Sequence, residues 1–191
     1  MQNPYANKCM RRALRDINHT ILLIDEKKTY SWRPSRCPEA FQEQCIEKRD
    51  AYLKTGRWEI TSARNTVPML LIHKPHTHPP LLWTVFNLRE CNKNTHQLTS
   101  PLPDMEGMLR QTASKSFQTM LGMKNAYEQI RVIPEHVPRT AVTTPDGNMV
   151  SHVLQQGDLN AAATYQALMN HLFSSYIGHG CVPRRHCRLF R

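Results

Sequence analysis

The chain has 191 residues, a formal net charge of +10, 40% hydrophobic residues, and 13 prolines against 7 glycines. That length gives one loop-rich domain or part of a larger one. No apolar run approaches a membrane span, the cleanest being Pro68 to Ile72, and MQNPYANKCMRR lacks an apolar signal region, so an intracellular protein is expected. Its six cysteines (9, 37, 45, 91, 181 and 187) are then expected as free thiols, and its positive charge points to a polyanion such as nucleic acid.

Residues 1–15 are polar and basic and read as a flexible lead-in. From Ile17, the run INHTILLIDEKKTYSWRPSRCP carries one apolar patch, Ile21 to Ile24, and reads as an extended segment lying on a larger body. Pro38 suits the first turn of a helix and Gly56 its end. Between them Phe41, Cys45, Tyr52 and Leu53 fall on one side, predicting an amphipathic helix. A strand is predicted over 67–73, with LLWTVFNLRE as its partner and 76–80 as the connecting loop. A further helix from about Asp104 follows the spacing of Met105, Met108, Leu109 and Thr112.

The stretch from Ser116 to Phe173 organises the rest. A short apolar run, Phe117 to Leu121, leads into the tight segment GMKNAY, then an extended IRVI run. TAVTT and MVSHVL flank Pro145-Asp146-Gly147, a strong hairpin signal. A helix over about 160–176 places Ala161, Ala162, Tyr165, Met169, Leu172, Phe173 and Tyr176 on one face, with Asp158 or Asn160 able to cap it.

These pieces, in this order, resemble the reverse transcriptases of Gypsy-type LTR retrotransposons. The resemblance rests on NLRE-C-NKNT with SPLPDMEGML, on NAYEQI, on RTAVTTPDG, and on QQG followed by NAAATYQALMN; it covers roughly residues 16–178. It implies an α+β fold, a partial right hand with fingers and an incomplete palm and without a thumb. The family activity is template-directed DNA synthesis from deoxynucleotides on RNA or DNA. Two divalent cations held by carboxylates activate the primer hydroxyl and stabilise charge on the transferred phosphate.

Where the family places its first catalytic aspartate this chain has Gly122, and a second acidic position is Asn125. Asp146, at a hairpin tip, and Asp158, at a helix start, do not substitute for them. The resemblance therefore implies no catalytic residue, no bound Mg2+ and an inactive chain. Other family positions are matched: Tyr127 for the sugar-packing aromatic, Gln156 and Lys74 for nucleotide contacts, and Arg89 for the template. Trp83 stands where a second triphosphate arginine belongs, removing a charge-assisted contact. Phe86, Asn87 and Ala162 also depart from the pattern.

Two other readings are carried. One is a non-catalytic, basic nucleic-acid-binding fragment. The other is a small zinc-stabilised interaction domain using His73, His76 and His78 or the His and Cys residues after 178; neither spacing fits the paired ligand elements of structural zinc sites.

Residues 179–191, HGCVPRRHCRLFR, fit no helix or strand pattern and hold four arginines in the last eight positions. The family motif expected here resembles MDVYLDDIVVYS. Read one nucleotide forward, the codons of His179 to Phe190 are compatible at every position with that motif: His-Gly permits Met, Gly-Cys permits Asp, and Arg-Arg and Arg-His permit the Asp pair. A frameshift near Gly178–His179 is expected.

Overall fold

In the computed structural model, which describes residues 14–31, 33–99 and 125–175 together with 106, 107, 110, 113, 114, 116, 122 and 123, the first helix forms as its pattern predicts, with one refinement. Pro38 precedes a single 3-10 turn, Glu39–Phe41, and the α-helix α1 runs Gln42–Lys54. Gly56 stops it: at φ +69° it takes the left-handed conformation that other residues resist, and its N–H donates to Leu53 O at 3.0 Å. Cys45 is buried, while Phe41, Tyr52 and Leu53 are half-buried.

The strand β1, Trp58–Ile60, is too short to leave an alternation signal and was not foreseen. β2, Val67–His73, and β3, Leu82–Phe86, pair antiparallel from Met69 opposite Phe86 to His73 opposite Leu82. The partner strand stops short of the predicted LLWTVFNLRE, because Arg89–Lys93 turn into a short helix, α2. β4, Val142–Thr144, and β5, Gly147–Ser151, form the hairpin that Pro-Asp-Gly announces; Gly147, at φ +119°, pairs with Thr144 across the turn.

The five strands make one sheet in the order β1-β5-β4-β2-β3. Its junction is parallel, Val67 beside Val142 and Pro68 beside Thr143, and the Thr66 and Thr143 hydroxyls meet there at 2.6 Å. Pro68, which has no N–H to donate, stands one residue before the pairing with β3 begins at Met69, and its carbonyl accepts from Asn87 N–H at 3.0 Å. Trp58, Val67, Met69, Leu88, Cys91, Val142 and Met149 form the core between sheet and helices, with Tyr52, Leu53, Leu71 and Phe86 against it.

The last helix, α3, runs Ala161–Leu172. Ala161, Thr164, Tyr165, Gln166, Leu168 and Met169 are buried, packing with Ala126, Ile130 and Leu154. The predicted apolar face is corrected at Leu172, which is 52% exposed, because the buried stripe lies on the Thr164–Leu168 side. The predicted cap is corrected too. Asn160 occupies the cap position but its side chain is spent on residues 96–98, while Asp158 Oδ1 accepts from Asn160 N–H at 2.9 Å.

The IRVI run makes single bridges rather than a strand: Arg131 meets Val153, and Val132 meets His19 of the leader. The leader is extended on the body, as expected, with a second bridge from Leu23 to Thr95. Asparagine side chains stand in for strand partners along it: Asn94 bonds both Asp25 N and Asp25 O, and Asn65 bonds Tyr30 N and Lys28 O.

Of the helix expected from Asp104, Glu106, Gly107, Arg110 and Ala113 are helical, whereas Met105, Met108, Leu109 and Thr112 lie outside the described residues. So do Phe117 to Leu121, Tyr176 and residues 179–191. Among the described residues no helix is long and apolar enough to cross a membrane.

Candidate functional site

Gly122 is exposed, and a Cβ built there meets nothing within 4 Å. Asn125 turns the chain at φ +50°, a conformation that asparagine tolerates better than most residues. The backbone then drops into a 3-10 turn, Tyr127–Gln129. That turn seats Tyr127, half-buried, edge-on against Tyr165 of α3 at 5.6 Å and 68°. Its ring therefore packs against the core around Ile130 and Leu154.

Gln156 is exposed at the tip of the turn before α3, while its neighbour Gln155 is buried with Nε2 donating to Thr140 O at 3.2 Å. Asn92 of α2 clamps this turn, donating to Gly157 O at 2.9 Å and accepting from Leu159 N at 3.0 Å. Arg89, the first residue of α2, is exposed and stands on the same rigid piece as Gln156. Arg89, Gln156 and Tyr127 are thus carried by elements packed on one another.

Lys74 is not with them. It follows the distal end of β2, about 20 Å along the strand from Val67 at the usual rise per residue, and its N–H donates to Leu81 O at 2.8 Å. Lys74 and Arg89 are both exposed, and neither makes an ion pair among the described residues. Trp83 pairs across the hairpin with Ile72, and Leu70 pairs with Val85 on the same face. Leu70, Ile72 and Trp83 are 45%, 42% and 43% exposed.

One polar cluster had no signature in the sequence. Tyr52 of α1 donates to Glu128 Oε1 at 2.6 Å, and Arg57 stands 3.4 Å from Glu128 Oε2, an ion-pair distance not closed into a hydrogen bond. Lys48 donates to the Thr84 hydroxyl, and both Lys48 and Arg57 lie 5.4 Å from the Tyr52 ring centre. Burial, and then the Glu128 carboxylate, push the Tyr52 phenol well above its usual range; burial pulls Lys48 below its own. The cluster ties α1 to the NAYEQI turn across 76 residues of sequence, a separation that no local pattern reports.

A pair of divalent cations does not fit what stands at the catalytic position. Gly122 offers no side-chain oxygen and Asn125 a neutral amide, where such cations want carboxylates. Asp146 is engaged by Arg49 at 3.0 Å and Asp158 faces His19 at 3.2 Å. Among the described residues no three His, Cys, Asp or Glu side chains are grouped to hold a metal; His73, of the proposed zinc cluster, stacks on Phe41 at 6.2 Å.

No family model matches the chain. Over 94 residues it is 29% identical to an RNA-directed DNA polymerase homolog of Oenothera berteroana, a match covering 49% of this chain and 66% of that protein. Over 97 residues it is 27% identical to the retrovirus-related Pol polyprotein from transposon opus of Drosophila melanogaster, covering 51% of this chain and 10% of that one. Among solved structures, the prototype foamy virus protease-reverse transcriptase superposes with a TM-score of 0.67 at 20% identity, over 83% of this chain and 22% of the viral one. The chain is a reverse-transcriptase relative.

The foamy viral protease-reverse transcriptase in complex with an RNA/DNA hybrid superposes too, with a TM-score of 0.62 at 17% identity, over 86% of this chain and 21% of that chain. The α+β polymerase fold expected from the motifs is therefore the fold observed. This reverse-transcriptase relative spans about two thirds of the Oenothera protein and about a tenth of the transposon polyprotein in those matches.

Proposed function

We propose that the chain is a catalytically inactive remnant of a retrotransposon reverse transcriptase. One observation carries this reading: the frame around the catalytic position persists while its carboxylate does not. Tyr127 packs on α3 and α2 clamps the Gln156 turn, yet Gly122, five residues before Tyr127, is exposed and offers no side-chain oxygen. Without carboxylates, nothing draws two cations to the primer hydroxyl and the triphosphate. Primer extension on a primed RNA or DNA template, with magnesium or manganese, tests the reading; template-dependent product above background overturns it.

A second reading, a fragment that binds nucleic acid without acting on it, is favoured by Lys74 and Arg89, exposed and in no ion pair among the described residues. Filter binding at several salt concentrations separates it from an inert remnant. Phosphate contacts give a log-log salt slope of about −0.7 to −0.9 per contact. Replacing both residues with alanine is expected to flatten that slope by roughly one to two units. An unchanged slope removes these residues from any such surface.

The basic stretch 179–191 belongs, in this proposal, to a shifted reading frame rather than to a selected nucleic-acid or zinc site. Sequencing the gene checks it. The frame one nucleotide forward is expected to spell Tyr-Leu-Asp-Asp across Val182 to Arg185 and to stay open beyond it; a stop codon or a different reading there refutes the shift.

A further inference from the structure

The leader from Ile17 to Glu26 runs between residues 94–96 on one side and residues 131–133 on the other. On one side, Ile24 N–H donates to Asn94 O and His96 N–H to Leu22 O, each at 2.8 Å. On the other, His19 N–H donates to Arg131 O at 2.8 Å and Ile133 N–H to His19 O at 3.1 Å. Ile21, 3% exposed, is buried at the midpoint.

Two histidines fasten it. The His19 ring is enclosed, with Nδ1 3.0 Å from Thr164 Oγ1 and Nε2 3.2 Å from Asp158 Oδ1. His136, in the 3-10 segment Pro134–Thr140, works the other way round: its Nδ1 accepts from Ile21 N–H at 2.9 Å. Only an unprotonated Nδ1 can accept. A second fastening comes from Arg139, which donates to Ile21 O and pairs with Glu26 at 2.8 Å.

We propose that residues 20–26 form a strap loosened by acid, in which a proton on His136 Nδ1 breaks its bond to Ile21 and lets the strap open more often against its remaining bonds to Asn94, His96 and Arg139, while the five-stranded sheet stays folded. The two fastenings respond differently to a proton. The Ile17–His19 end is held by backbone bonds, His19 N–H to Arg131 O and Ile133 N–H to His19 O, which a proton on an imidazole does not touch, so that end stays attached. Protonated His136 presents N–H to N–H at Ile21, a repulsive contact in a buried place.

The groups facing His136 are Arg139 and Glu135 on its own segment and His19 and Glu26 on the leader. Burial first, and the Arg139 charge next, hold His136 below its ordinary value of 6.5, with the carboxylates of Glu135 and Glu26 opposing. The sign follows from that direction. A depressed histidine favours the fastened state fully above its unfolded pKa, and the contribution is lost as pH falls through the lower, folded value. The strap therefore holds at neutral pH and loosens below about pH 6.5.

Hydrogen exchange read by mass spectrometry on the full chain, from about pH 7.5 to about pH 5 and corrected for intrinsic rates, tests the proposal. Peptides over 20–26 are expected to lose protection as pH falls below about 6.5, by up to about tenfold per pH unit until the lower, folded-state value is reached and with no further loss below it, while β2 and β3 keep theirs. His136→Asn places a non-titrating acceptor near Nδ1 and is expected to abolish the pH dependence; His78→Asn, exposed in the loop between β2 and β3, is expected to leave it intact. Strap and sheet opening together, protection unchanged across the range, or the dependence persisting in His136→Asn each overturns the proposal. Should His136→Asn fail to fold, the order of opening in the unmodified chain decides.

Discussion

Neither the unmodified chain nor Gly122→Asp is expected to incorporate a nucleotide on a primed template with magnesium or manganese. The variant is informative because it is sterically mild: the position is exposed, and a Cβ there meets nothing within 4 Å. Failure then reports chemistry rather than misfolding, which circular dichroism of the variant confirms. One carboxylate cannot hold two cations of high charge density, and the neighbouring acidic position is Asn125, whose amide carries no charge to share. The two aspartates weighed as substitutes are already spent, Asp146 on Arg49 and Asp158 on His19. Incorporation by Gly122→Asp but not by the unmodified chain would place the missing ligands elsewhere in the chain and confine the inactivity to one codon.

The largest effect on stability is expected at Asn160. Its side chain, in a residue 1% exposed, accepts from Leu98 N–H and donates to His96 O, both at 2.9 Å, and so sews the stretch after α2 to the start of α3. Asn160→Ala removes both bonds together with a buried amide, a loss of about 2–3 kcal/mol. In a chain of this size that lowers the melting temperature by roughly 4–12 °C. Leu172→Ala, at a site 52% exposed on the same helix, is expected to change stability by less than about 0.5 kcal/mol. Thermal unfolding followed by circular dichroism compares the two; similar shifts would mean that the buried amide does not hold the junction.

Asn160 also shows where the sequence stops being readable. Its position before a helical run marks it as a cap, and its neighbour Asp158 offers the same signal. Which of them closes the turn is settled by residues 96–98, more than sixty positions away, whose unpaired backbone claims the amide. Patterns whose cause is local were legible: the hairpin at Pro145-Asp146-Gly147, the stop at Gly56, and the apolar run that forms the strand 67–73. Those set by a distant partner were not. Leu168 is buried and Leu172 is exposed because the body of the fold approaches α3 from the Thr164 side. β1 is visible only once β5 lies beside it, and the parallel contact of β2 with β4 joins residues 75 positions apart.

The candidate site divides the same way. Gly122, Tyr127, Gln156 and Arg89 could be named from motif order, but nothing in that order says that Asn92 joins the last two or that Glu128 is bound to Tyr52 of α1. Lys74 was named with them and stands apart, at the far end of a strand.

The β2–β3 hairpin carries one further consequence, for handling the protein in solution. One of its faces is occupied by α1 through Met69, Leu71 and Phe86; the other displays Leu70, Ile72 and Trp83 to water. Its outer edge is partly screened, since Gln44 accepts from Leu82 N–H and donates to Pro80 O. Adhesion between molecules therefore comes from the face rather than from strand addition, so it grows with protein concentration and with sulfate, which strengthens apolar association. Dilution in a salt of low salting-out strength keeps the chain dispersed, and a charged residue in place of Trp83 does the same without touching the core.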